Sequence, residues 1–450
     1  MKKDVSGQLV EFALKTKYEA LPEDAVQFAK WLLLKTIAGT LAGSTKPSAK
    51  KMARLIKSRK LPGEVGVIGG GGMRTSLWEA IILTGYFAHA SEYEDDRVDE
   101  SGAVSWDITV IPILLPLAEK LGLSGKKFLE VLVAGLEVHA RTCRFNPGHL
   151  SQVLVPGAAG PAVAAAMALG LNFQQTTNAL GLAISSVPLW TGSYGTDAHF
   201  FQSSLMCLQG VMSAEMAKLG MSGHADLATY LTQYLGSERV VPEKMVENLG
   251  KEWIFKEICI KKYPVCFMQH RQIDIVVAIK KENNLSFEEV ETIEIYAKRS
   301  REEICNRPNP RNEGDLQFSF HHNLALAMLH GDVTLKYITP EAVNERDLIN
   351  ARKKVKFIAD YSPSVTGSTM QEPAHVVVKM KDGRIFTKDR QYPIGHPKDQ
   401  MATAQFHELC NKVTNGILKN KDMAKASEII SNLEKHKNVK ELLRALGAGG

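Results

Sequence analysis

The chain has 450 residues, 44% hydrophobic and 23% charged, with a formal net charge of +6, which describes an ordinary globular protein long enough for two or three domains. Its lysines are scattered and not interleaved with aromatics, which argues against nucleic-acid binding. Six cysteines without a CxxC pair give no support to zinc or iron–sulfur sites, and charge arrives too early for a secretory signal, so a reduced cytoplasm is the expected setting.

The first half reads as successive helices. In LPEDAVQFAKWLLLKTIAGTLAGS, residues 21–44, Pro22 marks a first turn, with Glu23 and Asp24 where the helix dipole favours acids. Val26, Ala29, Leu33, Ile37 and Leu41 follow at helical spacing, and Gly43 is the expected stop. VGVIGGGGMRTS, residues 65–76, has four consecutive glycines but neither the Gly-Lys-Ser/Thr end of a phosphate loop nor a βαβ setting, so a turn is predicted.

Residues 89–100, HASEYEDDRVDE, then place six carboxylates directly after an apolar helix. If the helix continues, His89, Glu92 and Asp96 share one face. Three settings fit: a solvated acidic face, a divalent-metal site (for which no compact ligand motif speaks), or the wall of an active site.

Two more helices meet at GLSGK, residues 122–126. Residues 153–171, VLVPGAAGPAVAAAMALGL, have the length of a membrane span, but Ala, Gly and two prolines make them weakly hydrophobic. A buried helix and no membrane are expected. Near Phe255 the texture changes. EEVETIEIYAKR alternates like a strand, FSFHHNLALAMLHG is a helix, and HVVVKMKDGRIFTKDRQYP is a hairpin around Asp382-Gly383. The basic but acid-interrupted residues 418–440 read as a solvated helix face. The predicted fold is mainly α: an all-helical domain over 1–255, a smaller α+β lid domain over 256–398, and C-terminal helices over 399–450 that pack back on the first domain.

CIKKYPVCFMQHRQID, residues 259–274, gathers Lys261, Lys262, His270 and Arg271 around Tyr263-Pro264 at the domain junction. Such junctions favour small-molecule sites, and a lysine there holds a carboxylate or acts as a base; the plain alternative is an exposed basic loop. Isolated histidines, His149, His199, His321 and His322, add candidates for the same pocket.

Taken together, LLLKTIAGTLAGS, GVIGGGGMRTSLWEAIILTGYFAHASEYEDD, CIKKYPVCFMQHRQID and DLQFSFHHNLALAMLHGDV resemble the MmgE/PrpD family of 2-methylcitrate dehydratases, cis-aconitate decarboxylases and iminodisuccinate epimerases. The resemblance implies a homodimer, a small carboxylic-acid substrate, and catalysis without metal or organic cofactor. Residue by residue it keeps the family's lysine as Lys261 and replaces its first acidic-run Asp by Glu92. Asp96 stands for a threonine, Ser105 for a histidine, His199 for a mid-domain lysine and His322 for an aromatic of the lid helix. His149 lies near the place of a second family histidine, out of register.

The expected activity is that of a cofactor-independent lyase or isomerase, which abstracts a proton from a carbon next to a carboxylate. The catalytic candidates are Lys261, His199, His149, Glu92 and Asp96; the substrate-binding candidates are Ser105, Tyr263, Arg97 and His322. Glu94, Asp95, Asp99 and Glu100 are expected at helix ends or in solvent. Because Asp96 adds a negative charge, a substrate with fewer charges, or with an amino group, is expected over a tricarboxylate. Dehydration and epimerisation share the first step; decarboxylation and a binding-only relative are the alternatives.

Overall fold

The structure, a computed structural model, describes residues 4–99, 102–144, 157–185, 193–298, 302–360 and 373–448. It is mainly α, with a smaller α+β part. One hydrophobic core joins the helices of the first half to residues from Met401 to Ala448; a second spans residues from Cys259 to Met380.

The helix Glu23–Ser44 begins one residue after Pro22, with Glu23 and Asp24 in its first turn as expected. Gly43 does not stop it. A Cβ at Gly43 would lie 1.8 Å from the Phe87 carbonyl oxygen, so this glycine lets the helix Leu77–Ala90 cross at backbone contact. That second helix is buried on nearly every side, and it packs in turn against the helix Asp197–Lys218. Within the Ala-rich run the described residues form the buried helix Ala159–Ala168. Gly210 allows Asp197–Lys218 to lie against it, since a Cβ there would stand 2.4 Å from Pro161 Cβ. Among the described residues no helix is long and apolar enough to cross a membrane. The four-glycine segment is a turn between the short strands Val65–Gly66 and Arg74–Thr75, with Gly69, Gly71 and Gly72 at positive φ.

In the α+β part four strands pair in the order Val355–Asp360, Val290–Lys298, Ala374–Met380, Ile385–Arg390. The first pair is parallel and the others antiparallel. Ile293 and Ile295 are buried on one face of the central strand, while on the other Glu294 pairs with Lys379 and Tyr296 is exposed. Helices His270–Asn283 and Phe320–His330 pack on the sheet. The C-terminal helices return to the first core, where Trp31 stacks on Phe406 at 4.3 Å.

Candidate active site

The acidic run is not helical. The helix Leu77–Ala90 ends at Ala90, and Glu92 adopts φ +58° while its N–H donates to the His89 carbonyl at 2.9 Å. Helices end this way on glycine far more often than on glutamate, whose side chain makes the left-handed conformation costly. The chain then extends. Cys259 N–H donates to the Asp96 carbonyl (2.9 Å) and Asp96 N–H to the Cys259 carbonyl (3.2 Å), so residues before Lys261 lie antiparallel to the acidic run. In extended chain alternate residues share a face. Glu92, Glu94 and Asp96 therefore point one way, and Asp95 points the other.

Lys261 fills the first face. Its Nζ contacts Glu94 Oε1 and lies 3.3 Å from Asp96 Oδ2 and 3.4 Å from Glu92 Oε2, with all four side chains buried. Burial disfavours the Lys261 ammonium, but Glu94, Asp96 and Glu92 outweigh it and hold its pKa well above the ordinary value. Burial also opposes the charge on Glu92; Lys261 and His199 overcome it and keep that carboxyl below its usual range. For Glu94, burial and the neighbouring Glu92 win over Lys261, and its pKa is pushed well above the usual range. Ser105 Oγ donates to Asp96 Oδ1 at 2.5 Å. Two carboxyls a few ångströms apart are thus driven in opposite directions, the arrangement that separates an acid from a carboxylate.

Two histidines complete the wall. His199 Nε2 stands 3.5 Å from Glu92 Oε1, and the His89 and His199 rings pack edge to face at 4.3 Å. The Ser203 hydroxyl donates to the Phe200 carbonyl (2.9 Å), so its oxygen accepts from His89 Nδ1 at 3.2 Å. That assigns the His89 proton to Nδ1 and leaves the Nε2 lone pair facing the pocket, 3.9 Å from Glu94 Oε1. Burial, with His199 beside it, pushes His89 well below its ordinary value, so it is a neutral imidazole.

These groups line a cavity of about 80 Å³, closed on the other side by Tyr194, Cys266, Phe267, Met268, Ile304 and Phe318. That space is on the order of five to eight waters, the scale of a small acid and not of a nucleotide. It lies where the two cores meet.

Of the residues expected from sequence, Lys261, His199, Glu92, Asp96 and Ser105 come together here. Three others do not line the cavity. The Tyr263 hydroxyl donates to Asp274 Oδ1 at 2.9 Å, behind Lys261. Arg97 pairs with Glu257 at 3.0 Å. His322 Nε2 donates to the Tyr337 carbonyl at 2.9 Å, inside the second core. His149 lies outside the described residues. Glu94 and Asp95, expected at helix ends or in solvent, are both buried: Glu94 faces the pocket and Asp95 binds Lys35 at 3.2 Å. The helical period assumed for residues 89–96 hid Glu94; the spacing Glu92-Tyr93-Glu94 is the signal that would have shown it. His89 was grouped with Glu92 and Asp96 only through a helical face that does not form, and Ser203 was not singled out, because the contact between the two joins distant helices.

Two family models cover most of this architecture: the MmgE/PrpD N-terminal domain matches residues 7–234 and the MmgE/PrpD C-terminal domain residues 263–435. The chain belongs to the MmgE/PrpD family. It is 24% identical to the cis-aconitate decarboxylase-like protein oryM of Aspergillus oryzae, over 98% of this chain and 96% of that one. It is 22% identical to the cis-aconitate decarboxylase of Homo sapiens, over 92% and 88%. With the cis-aconitate decarboxylase of Aspergillus terreus it shares 26% identity over 61% and 60%.

Proposed function

We propose that this protein is a lyase that removes a proton from a carbon next to a carboxylate of a small carboxylic acid. The observation that carries this reading is the juxtaposition, in one pocket, of a charged Lys261 with the neutral His89. Lys261 binds the substrate carboxylate and stabilises the negative charge that grows on it as the proton leaves. The His89 Nε2 lone pair accepts the proton, with His199 beside it as a second carrier. Glu94, protonated by its surroundings, donates to the departing group. In a dehydration that group is hydroxide, leaving as water; in an epimerisation the proton returns to the opposite face.

The names of the relatives bring in decarboxylation as the competing reaction. Against a tricarboxylate such as cis-aconitate stands the charge of this pocket, in which the carboxylates of Glu92 and Asp96 outnumber the one ammonium of Lys261. A substrate with fewer carboxylates, or with an amino group set against Asp96, meets less repulsion.

Proton NMR in D2O tests the reading with a panel of di- and tricarboxylates, hydroxy acids and amino dicarboxylates. Deuterium is expected beside a carboxylate of at least one panel member, and Lys261→Ala abolishes it. A folded protein that exchanges no proton across the panel would refute proton abstraction and favour a binding-only relative.

A further inference from the structure

The α+β part carries a cavity of its own. An open cleft of about 550 Å³ is lined from residues 306–310, the helices Phe320–His330, Pro340–Asn344 and Arg346–Arg352, and the strand Val355–Asp360. It shares no lining residue with the cavity at Lys261, and its volume falls in the range of small-molecule sites, about 300–1,000 Å³. Its charge has one sign. Arg352, Lys353 and Lys356 line it, and among the described residues around it there is no Asp or Glu.

Arg352 separates this wall from an ordinary basic surface. The residue is only 4% exposed, yet among the described residues its partners are backbone carbonyls: Nη1 donates to Ala342 at 3.4 Å and Nη2 to Val343 at 2.7 Å. Those bonds use two of the five N–H donors of a guanidinium. Burial pulls the Arg352 pKa below its ordinary value, and Glu345, the carboxylate that opposes this, acts only from a distance. A buried cation without a counter-charge is costly, and a bound oxyanion offsets that cost. Lys353 Nζ reaches the neutral Asn350 Oδ1 at 3.3 Å. Lys356 projects from an edge strand, and the carboxylate beside it in register, Glu294, is held by Lys379 at 2.7 Å.

The cleft is also preformed. His321 joins two of its walls, with Nδ1 3.0 Å from the Val355 carbonyl oxygen and Nε2 3.0 Å from Asn306 Oδ1. Arg307 anchors residues 306–310 through the Ile304 carbonyl (3.0 Å) and Asp315 Oδ1 (2.6 Å), and Pro308 and Pro310 stiffen the same stretch. Phe357 adds a half-buried ring. We propose that this cleft is a second binding site, for an organic anion whose phosphate or carboxylate groups lie on Arg352, Lys353 and Lys356 and whose body lies against Phe357 and the two prolines. Arg352 supplies the planar fork that oxyanions match, and the lysines supply point charges beside it. The inference stands apart from the proposed reaction, since binding is read without turnover.

Calorimetry on the full-length protein at low salt tests the site with pyrophosphate, ATP and citrate as probes. One probe molecule per chain is expected, bound more weakly as salt rises. The charge reversal Lys353→Glu/Lys356→Glu weakens it by about tenfold or more. Both lysines are exposed, so that variant keeps the fold. Tighter binding of pyrophosphate or ATP assigns a phosphate ligand, and tighter binding of citrate a carboxylate. Citrate held at Lys261 in the first cavity is indifferent to the lysine pair, which separates the two places. A folded wild-type protein that takes up none of the three probes, or binding that Lys353→Glu/Lys356→Glu leaves unchanged, overturns the site. Either result leaves the proton-exchange experiment untouched.

Discussion

The backbone N–H of Lys261 donates to Asp95 Oδ1 across 2.8 Å, and the same oxygen accepts from Lys35 Nζ at 3.2 Å. Asp95 thus turns its back on the pocket and fixes the main chain that delivers Lys261 into it. Lys35 also donates to the Tyr93 carbonyl at 2.5 Å. A buried ion pair is dear to desolvate, and breaking it from one side leaves a charge without compensation. Asp95→Ala is therefore expected to cost about 3–5 kcal/mol, measured by denaturant unfolding. The double variant Lys35→Met/Asp95→Asn removes both charges and recovers most of that loss. A double variant as unstable as the single one would show that Asp95 does not act through Lys35.

One layer deeper, Asp107 is fully buried. Burial, and then the carboxylate of Asp95, pushes its carboxyl up to about 8 from an ordinary 3.8. The folded value lies above the unfolded one, so the associated stability is complete below about pH 4 and is lost as pH rises through about 8. Asparagine mimics the protonated form and keeps an acceptor for Thr36 Oγ1 (3.1 Å) and the Asp95 N–H (3.2 Å). Asp107→Asn should gain on the wild type with rising pH, by more than about 1 kcal/mol at about pH 9 relative to about pH 5. Thermal melts at the two pH values check this; a pH-independent difference would contradict it.

What could be read in the sequence divides along the same line as these contacts. The helices were legible because Val26, Leu33 and Ile37 repeat at a period that burial enforces, and the strand at residues 290–298 because Ile293 and Ile295 alternate with acids. The strand Val355–Asp360 was not anticipated: it is short, and Lys356 and Ile358 on its open side break the apolar pattern. In the site, Lys261 was legible through its Tyr-Pro neighbourhood. Glu94 was not, since a helical period continued past Ala90 sends it to the wrong face. The role of Asp95 was out of reach for another reason: its partners are 60 and 166 residues away, and no local period encodes them.

Gly43 illustrates a requirement that composition cannot state. With the Phe87 carbonyl 1.8 Å from where its Cβ would be, Gly43→Ala forces the helix Leu77–Ala90 outward. The cost is expected to reach or exceed about 1–3 kcal/mol, as in other overpacked cores. Because His89 rides on that helix, proton exchange in D2O falls as well. A variant as stable as the wild type would mean that the two helices do not touch as described.

The charge balance of the pocket gives the sharpest test of substrate class. Asp96 Oδ2 lies 3.3 Å from Lys261 Nζ, and Ser105 holds the other oxygen at 2.5 Å. Asp96→Thr, which restores the residue that the family resemblance places here, removes one negative charge and keeps a hydroxyl within the site. A tricarboxylate then meets one carboxylate fewer, and Lys261 is shared among fewer partners. Each buried charge contact is worth a few kcal/mol, so cis-aconitate should bind at least tenfold more tightly, about 1.4 kcal/mol, as read by calorimetry. An amino dicarboxylate should move the opposite way, because its ammonium loses a partner. If both ligands tighten alike, Asp96 repels substrate carboxylates without recognising an amine, and the substrate is an acid with no amino group. If neither changes, Asp96 faces Lys261 and not the ligand.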